Sequence, residues 1–144
     1  MIQGGTDRPG FPPILRWMIW GSLIVAVFVY LVVIQIAGFE NPEERDPDLV
    51  NILYVMGGIS VFISMGIKFV VKRVRTPEGK PKVPTWIDQG FIIALALAES
   101  SAIFGLILAF QGNPPAIYLP LFGMAVIALG LNAPALFFPK PIED

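Results

Sequence analysis

The chain has 144 residues, 55% of them hydrophobic, with a net charge of −1 and neither cysteine nor histidine. The apolar share exceeds that of ordinary soluble domains, and a charge near zero argues against long-range steering of nucleic acid. The two absent residue types exclude disulfide frameworks, thiolate and His-ligated metal sites, His-held haem and His-dependent triads, so neither a cofactor nor an enzymatic reaction is expected.

Taken in chain order, the segment from Met1 to Pro13 holds three prolines and three glycines, which exclude a regular helix there. An apolar span follows over residues 17–38. Its apolar core is longer than the roughly 7–15 residues of a signal-peptide core, so it reads as a retained helix. The loop over residues 39–49 sets Glu40, Glu43, Glu44, Asp46 and Asp48 against Arg45 alone. It lacks EF-hand spacing and reads as a solvated turn.

A second span covers residues 50–71 and contains Gly57, Gly58 and Gly66, small positions suited to close helix packing. The loop over 72–85 is basic: Lys72, Arg73, Arg75, Lys80 and Lys82 stand against Glu78. A third span covers residues 86–110 and a fourth covers 116–138, with Asn132 and Pro134 marking a kink and Pro120 also inside it. Each stretch meets the roughly 20 residues a bilayer crossing needs.

The fold class expected is therefore an all-α integral membrane protein, a single domain of four transmembrane helices. The positive-inside rule puts the basic loop and both termini in the cytoplasm, in agreement with Arg8, Arg16 and Lys140, and so places the chain in the cell (inner) membrane. Trp17, Trp20 and Trp86 then share the cytoplasmic interface, where an amphipathic ring is well placed. Lys72, Arg73 and Arg75 are candidates for contact with anionic lipid headgroups, with ordinary topology-setting charge as the plainer reading.

One residue breaks the apolar pattern. Glu99 is the only acidic group in the run from Ile87 to Phe110 beyond its first turn, and a lone carboxyl in a hydrocarbon layer is expensive. At about 100° per residue, Ala94, Ala98, Ser101, Gly105 and Ala109 form one small-residue stripe that lets helices approach closely. Glu99 lies roughly 110° from that stripe, on the face of Ile92, Leu95, Ile103 and Leu106. The stripe is expected to pack inside the subunit, and Glu99 to face a neighbouring subunit, a partner protein or lipid. Lys68, near the end of the second span, differs from it in depth by roughly 15 Å. It is expected to snorkel to its own interface and not to pair with Glu99.

The string Ala98-Glu99-Ser100-Ser101-Ala102-Ile103-Phe104-Gly105-Leu106-Ile107 resembles the carboxylate helix of the rotary ATPase proteolipid, the c subunit of F-type and V-type enzymes. The resemblance extends to the helix, polar cytoplasmic loop, helix arrangement of spans two and three. It covers the third span and part of the second. It implies an ion-carrying role for Glu99, with Ser100 and Ser101 as its neighbours.

Two functions from different classes follow. The first is an oligomeric membrane protein, one Glu99 per copy, that binds or translocates a proton or cation. The second is a non-catalytic accessory subunit of a larger membrane complex, in which Glu99 serves helix packing. Small multidrug transporters also combine four helices with one intramembrane Glu, but carry it in helix one.

Overall fold

The computed structural model describes residues 11–38, 43, 45–74, 77–79 and 85–138, and all regular structure among them is helical. Five helices follow in order: α1 (Pro13–Ala37), α2 (Pro47–Arg73), α3 (Ile87–Phe110), α4 (Pro115–Leu131) and α5 (Pro134–Phe137). Proline opens all but α3. Its fixed φ suits the first helical turn, where its missing N–H has no partner to lose. Asp46 caps α2, its side chain accepting from the backbone N–H groups of Asp48 and Leu49. This gives one member of the acidic loop a structural task.

Glycine closes two helices. Gly38, at φ 58°, ends α1 and donates its N–H to Ile34 O. Gly112, at φ 77°, ends α3: its N–H bonds Ala109 O, and the Asn113 N–H bonds Leu108 O. That paired pattern is a Schellman cap, and only glycine adopts its left-handed turn without a steric cost. The buried Asn113 side chain adds a second donor to Leu108 O at 2.9 Å.

α1, α2 and α3 are long and apolar enough to cross a membrane, and α4 is a shorter apolar helix. The chain therefore has the make-up of a helical membrane protein. Its outer surface agrees. Val25, Phe28, Val32 and Ile36 on α1, with Val55, Ile59, Phe62 and Phe69 on α2, are large apolar side chains left exposed. A continuous apolar surface of this kind suits lipid and not water.

Polar contacts fix the helix directions. Arg16 near the start of α1 meets Asp88 near the start of α3, so these two run parallel. Ser64 near the end of α2 meets Ala94 near the start of α3, and Lys68 of α2 meets Leu131 at the end of α4. The arrangement is up-down-up-down, with a basic end bearing Lys72 and Arg73 and an acidic end bearing Asp46 and Asp48.

α3 is the centre. Its stripe of Ala94, Ala98, Ser101, Gly105 and Ala109 is entirely buried, as the periodicity predicts. A Cβ on Gly105 would lie 2.9 Å from the Phe122 ring and 3.1 Å from Tyr118 O. α2 and α4 pack on this stripe through Gly57, where an added Cβ would meet Leu121 Cδ2 at 2.9 Å and Ser101 Oγ at 3.3 Å. Among the described residues Gly58 and Gly66 have no neighbour of this kind. The packing role expected of the three glycines falls to Gly57, because the other two lie round the helix from the contact.

The fourth span departs most from expectation. It is not one helix over 116–138 but α4, a break, and α5. Proline disfavours helical backbone in the residue before it, and Ala133 sits extended at φ −54°, ψ 146°. Asn132 closes α4 one residue earlier. What remains of α4 is about 25 Å long at 1.5 Å per residue. By contrast, Pro120 lies within helical backbone, near the start of α4.

Candidate functional site: a carboxyl and a phenol between α1 and α3

Glu99 sits near the middle of α3, about 16 Å along the axis from Phe110. It does not stand alone. The Tyr30 hydroxyl of α1 donates to Glu99 Oε1 at 2.9 Å. Both side chains are partly exposed, so the pair lies at the rim of the α1/α3 seam. The expectation that Glu99 turns away from its own subunit is overturned at this point. The face it shares is itself divided: Leu95 is fully enclosed, whereas Ile92 and Ile103 are exposed. α1 covers one side of that face and leaves the other open.

Geometry explains why Tyr30 reaches it. The Tyr30 backbone lies about 10 Å from the end of α1, shallower than Glu99 by about 6 Å. Side chains on a helix lean toward its N-terminus. The phenol therefore leans deeper, toward the carboxyl. Val27 and Ile34, the two buried residues of α1, flank Tyr30 along the same side. A tyrosine away from either membrane interface, where such rings usually gather, was the available signal in the sequence.

Ser100 and Ser101 do not join Glu99. Ser100 Oγ donates to Leu97 O at 2.6 Å within its own helix, and Ser101 Oγ donates to Leu121 O at 2.9 Å across to α4. The three residues implied by the proteolipid resemblance thus point to three different partners. Consecutive positions on a helix are about 100° apart and cannot converge on one small ion without a break in the helix.

A second polar cluster lies toward the basic end. Asn132, fully buried, donates through Nδ2 to Ser64 Oγ and to Ala128 O, both at 2.9 Å. Ser64 Oγ donates in turn to Ala94 O at 2.7 Å. The carbonyl of Ala128 accepts only, which fixes the orientation of the amide. Among the described residues Asn132 Oδ1 is left buried without a partner.

Lys68 does not snorkel away from this region. It is largely buried, and its Nζ donates to Leu131 O at 2.6 Å. The last carbonyls of α4 carry the negative end of its dipole and lack helical partners, which makes a cation there favourable. Lys72 and Arg73, the candidate headgroup contacts, are exposed at the end of α2. Arg75, the third, lies outside the described residues.

The seam is bridged at that end. Arg16 Nη2 meets Asp88 Oδ1 at 3.2 Å, Asp88 Oδ2 accepts from the Phe11 N–H, and the Arg16 guanidinium lies 3.7 Å from the centre of the Phe138 ring. Trp20 Nε1 donates to Leu129 O at 2.8 Å. Of the three tryptophans, Trp17 and Trp86 present large exposed surfaces and Trp20 is tied into the bundle.

At the acidic end the same seam opens. A cleft of about 310 Å³ is lined by Ile34, Gln35 and Gly38 of α1 with Ala109, Asn113 and Tyr118. Nearby, Arg45 donates through Nε to Gly112 O at 2.9 Å, fastening the acidic loop to the α3–α4 turn. Among the described residues no cluster of carboxylates is arranged to hold a metal ion. Compared with known proteins, the chain matches no family model, no curated protein and no solved structure.

Proposed function

We propose that this chain is a small polytopic membrane protein in which Glu99 holds and releases a proton at mid-depth, with Tyr30 as its hydrogen-bonding partner. The observation that carries the reading is the Tyr30–Glu99 bond at 2.9 Å in the middle of the apolar helices. A carboxyl there costs several kcal/mol if ionised and unpaired, and intramembrane acids serve function by default. A phenol can donate to the carboxylate or accept from the acid, so it accommodates both protonation states. Binding of a bare cation is less well supported, since Ser100 and Ser101 are directed at backbone carbonyls.

The charge asymmetry supports an orientation with the basic loop and both termini in the cytoplasm, hence residence in the cell (inner) membrane with lipid as the surrounding partner. Assembly into a homo-oligomer or a larger membrane complex belongs to the same proposal. The test is proton uptake into proteoliposomes under an imposed potential. Wild type should take up protons, and Glu99→Gln should reduce the rate to that of empty vesicles. Equal rates for the two proteins would eliminate the reading.

A second reading, an accessory subunit, is favoured by a different feature of the same bond. It is made within one chain and joins the least enclosed long helix, α1, to the central one. In that case Glu99→Gln should leave function intact, because an amide oxygen still accepts from Tyr30, while Glu99→Leu should impair assembly.

A further inference from the structure

We infer that the cleft at the acidic end is the aqueous approach to Glu99, and that Ile34 is the apolar plug between them. The inference rests on the proton-exchange reading of Glu99 and adds the side from which the proton comes.

Three observations converge. The cleft lies on the same seam as the pair: its α1 wall is Ile34, Gln35 and Gly38, and Tyr30 is one helical turn deeper on the same helix. Its lining mixes the polar Gln35, Asn113 and Tyr118 with apolar groups. Its volume, about 310 Å³, corresponds to roughly ten waters at their share of the liquid. Below it, Ile34 is nearly fully buried and shares its side of α1 with Tyr30 and Val27. The depths then run in order: Ile34, the Tyr30 backbone about 6 Å further in, and Glu99 about 6 Å beyond that. Tyr30 spans the last interval with its phenol and ends in the bond to Glu99.

Among the described residues the opposite end is more tightly filled. A smaller cleft of about 140 Å³ lies there beside Arg16 and Phe138. Between it and Glu99 stand the fully buried Phe91, Leu95 and Val27, with the Arg16–Asp88 pair at the entrance. Toward the basic end Phe91, Leu95 and Val27 are fully buried; toward the acidic end Ile34 and the small Ala102 are buried, while Ile103 and Leu106 of the Glu99 face are not.

The experiment is labelling of Glu99 by a water-soluble carbodiimide and an amine, read by mass spectrometry of the Glu99 peptide. It uses the full chain in sealed vesicles of known orientation, with reagent on one face at a time. Labelling should be faster from the acidic face. Ile34→Ala should speed it several-fold from that face, and Ile34→Trp should slow it. Val27→Ala removes a buried side chain from the same helix on the far side of Tyr30. It should leave the acidic-face rate unchanged, which separates opening of the plug from general loosening. Equal labelling from both faces, faster labelling from the basic face, no labelling at all, or equal acceleration by Val27→Ala would each overturn the inference. The readout requires no net transport. Sidedness as expected together with unchanged uptake in Glu99→Gln would therefore sink the proton reading and leave the approach path standing.

Discussion

At the scale of single residues, the chain spends its few intramembrane polar groups on one another and on helix ends. Tyr30 and Glu99 each supply what the other lacks, a donor and an acceptor, in a medium that supplies neither. Tyr30→Phe deletes the donor while keeping the ring. It should cost about 0.5–1.5 kcal/mol, the usual range for one hydrogen bond between membrane helices, measured by reversible unfolding in mixed micelles. Glu99→Gln keeps an acceptor and should cost less than Tyr30→Phe. If Glu99→Gln proves the more destabilising, the bond is not what holds the pair. Lys68→Met leaves the Leu131 carbonyl without its donor and removes the cation from the end of α4. A loss of about 1–2 kcal/mol is expected in the same assay. Glu99 announces itself in the sequence as the one acid within an apolar run. Its partner is harder to find, because a hydrogen bond across helices depends on rotation and tilt that a linear pattern does not carry.

At the scale of helices, small residues decide which faces meet. Gly57 and Gly58 are adjacent and chemically identical, yet a Cβ on the first would press Leu121 at 2.9 Å while one on the second meets nothing within 4 Å among the described residues. Gly57→Leu should therefore force α2 away from α3 and α4 and cost about 1–3 kcal/mol. Gly58→Ala should be neutral or stabilising by up to about 1 kcal/mol through helix propensity. Paired thermal melts in detergent check both, and equal effects would show that the α2 contact is misplaced. The stripe on α3 was legible because five small residues recur at helical spacing and all five are buried. The glycines of α2 offered no such discrimination. The end of α4 was legible as a disturbance at Asn132 and Pro134, but its outcome as a break was not. Backbone in a membrane can bend or stop at proline, depending on what satisfies the freed carbonyls. Here Lys68 takes the Leu131 carbonyl and Asn132 bonds Ser64 and Ala128.

At the scale of the whole molecule, three helices form the packed unit and α1 lies against one side of it, the least enclosed of the long helices. Among the described residues its polar attachments include Arg16 to Asp88, Trp20 to Leu129, and Tyr30 to Glu99. Arg16→Ala removes an ion pair and the stacking on Phe138 together. It should cost about 1 kcal/mol and raise the proteolysis rate of α1 in micelles; an unchanged rate would show that α1 is held elsewhere. The orientation proposed from loop charge is checked by single cysteines, for which a chain without native cysteine is well suited. Asp48→Cys should react with an impermeant maleimide on intact cells, and Gly79→Cys only after permeabilisation. The reverse pattern would invert the topology and with it the side assigned to the cleft.

The sequence by itself determined the three long apolar helices, the opposed charge of the two ends, the buried stripe of α3 and the anomaly at Glu99. These follow from composition and periodicity, quantities fixed by covalent order and by what a hydrocarbon layer tolerates. The tertiary structure alone decided that Tyr30 meets Glu99, that Ser100 and Ser101 turn away, that Gly57 and not Gly58 is the contact, and that the α1/α3 seam is bridged by Arg16 and Asp88 at one end and carries the larger cleft at the other. Each depends on how neighbouring helices rotate and where they are set in depth. A shift of a single residue in either turns a given side chain toward a different partner.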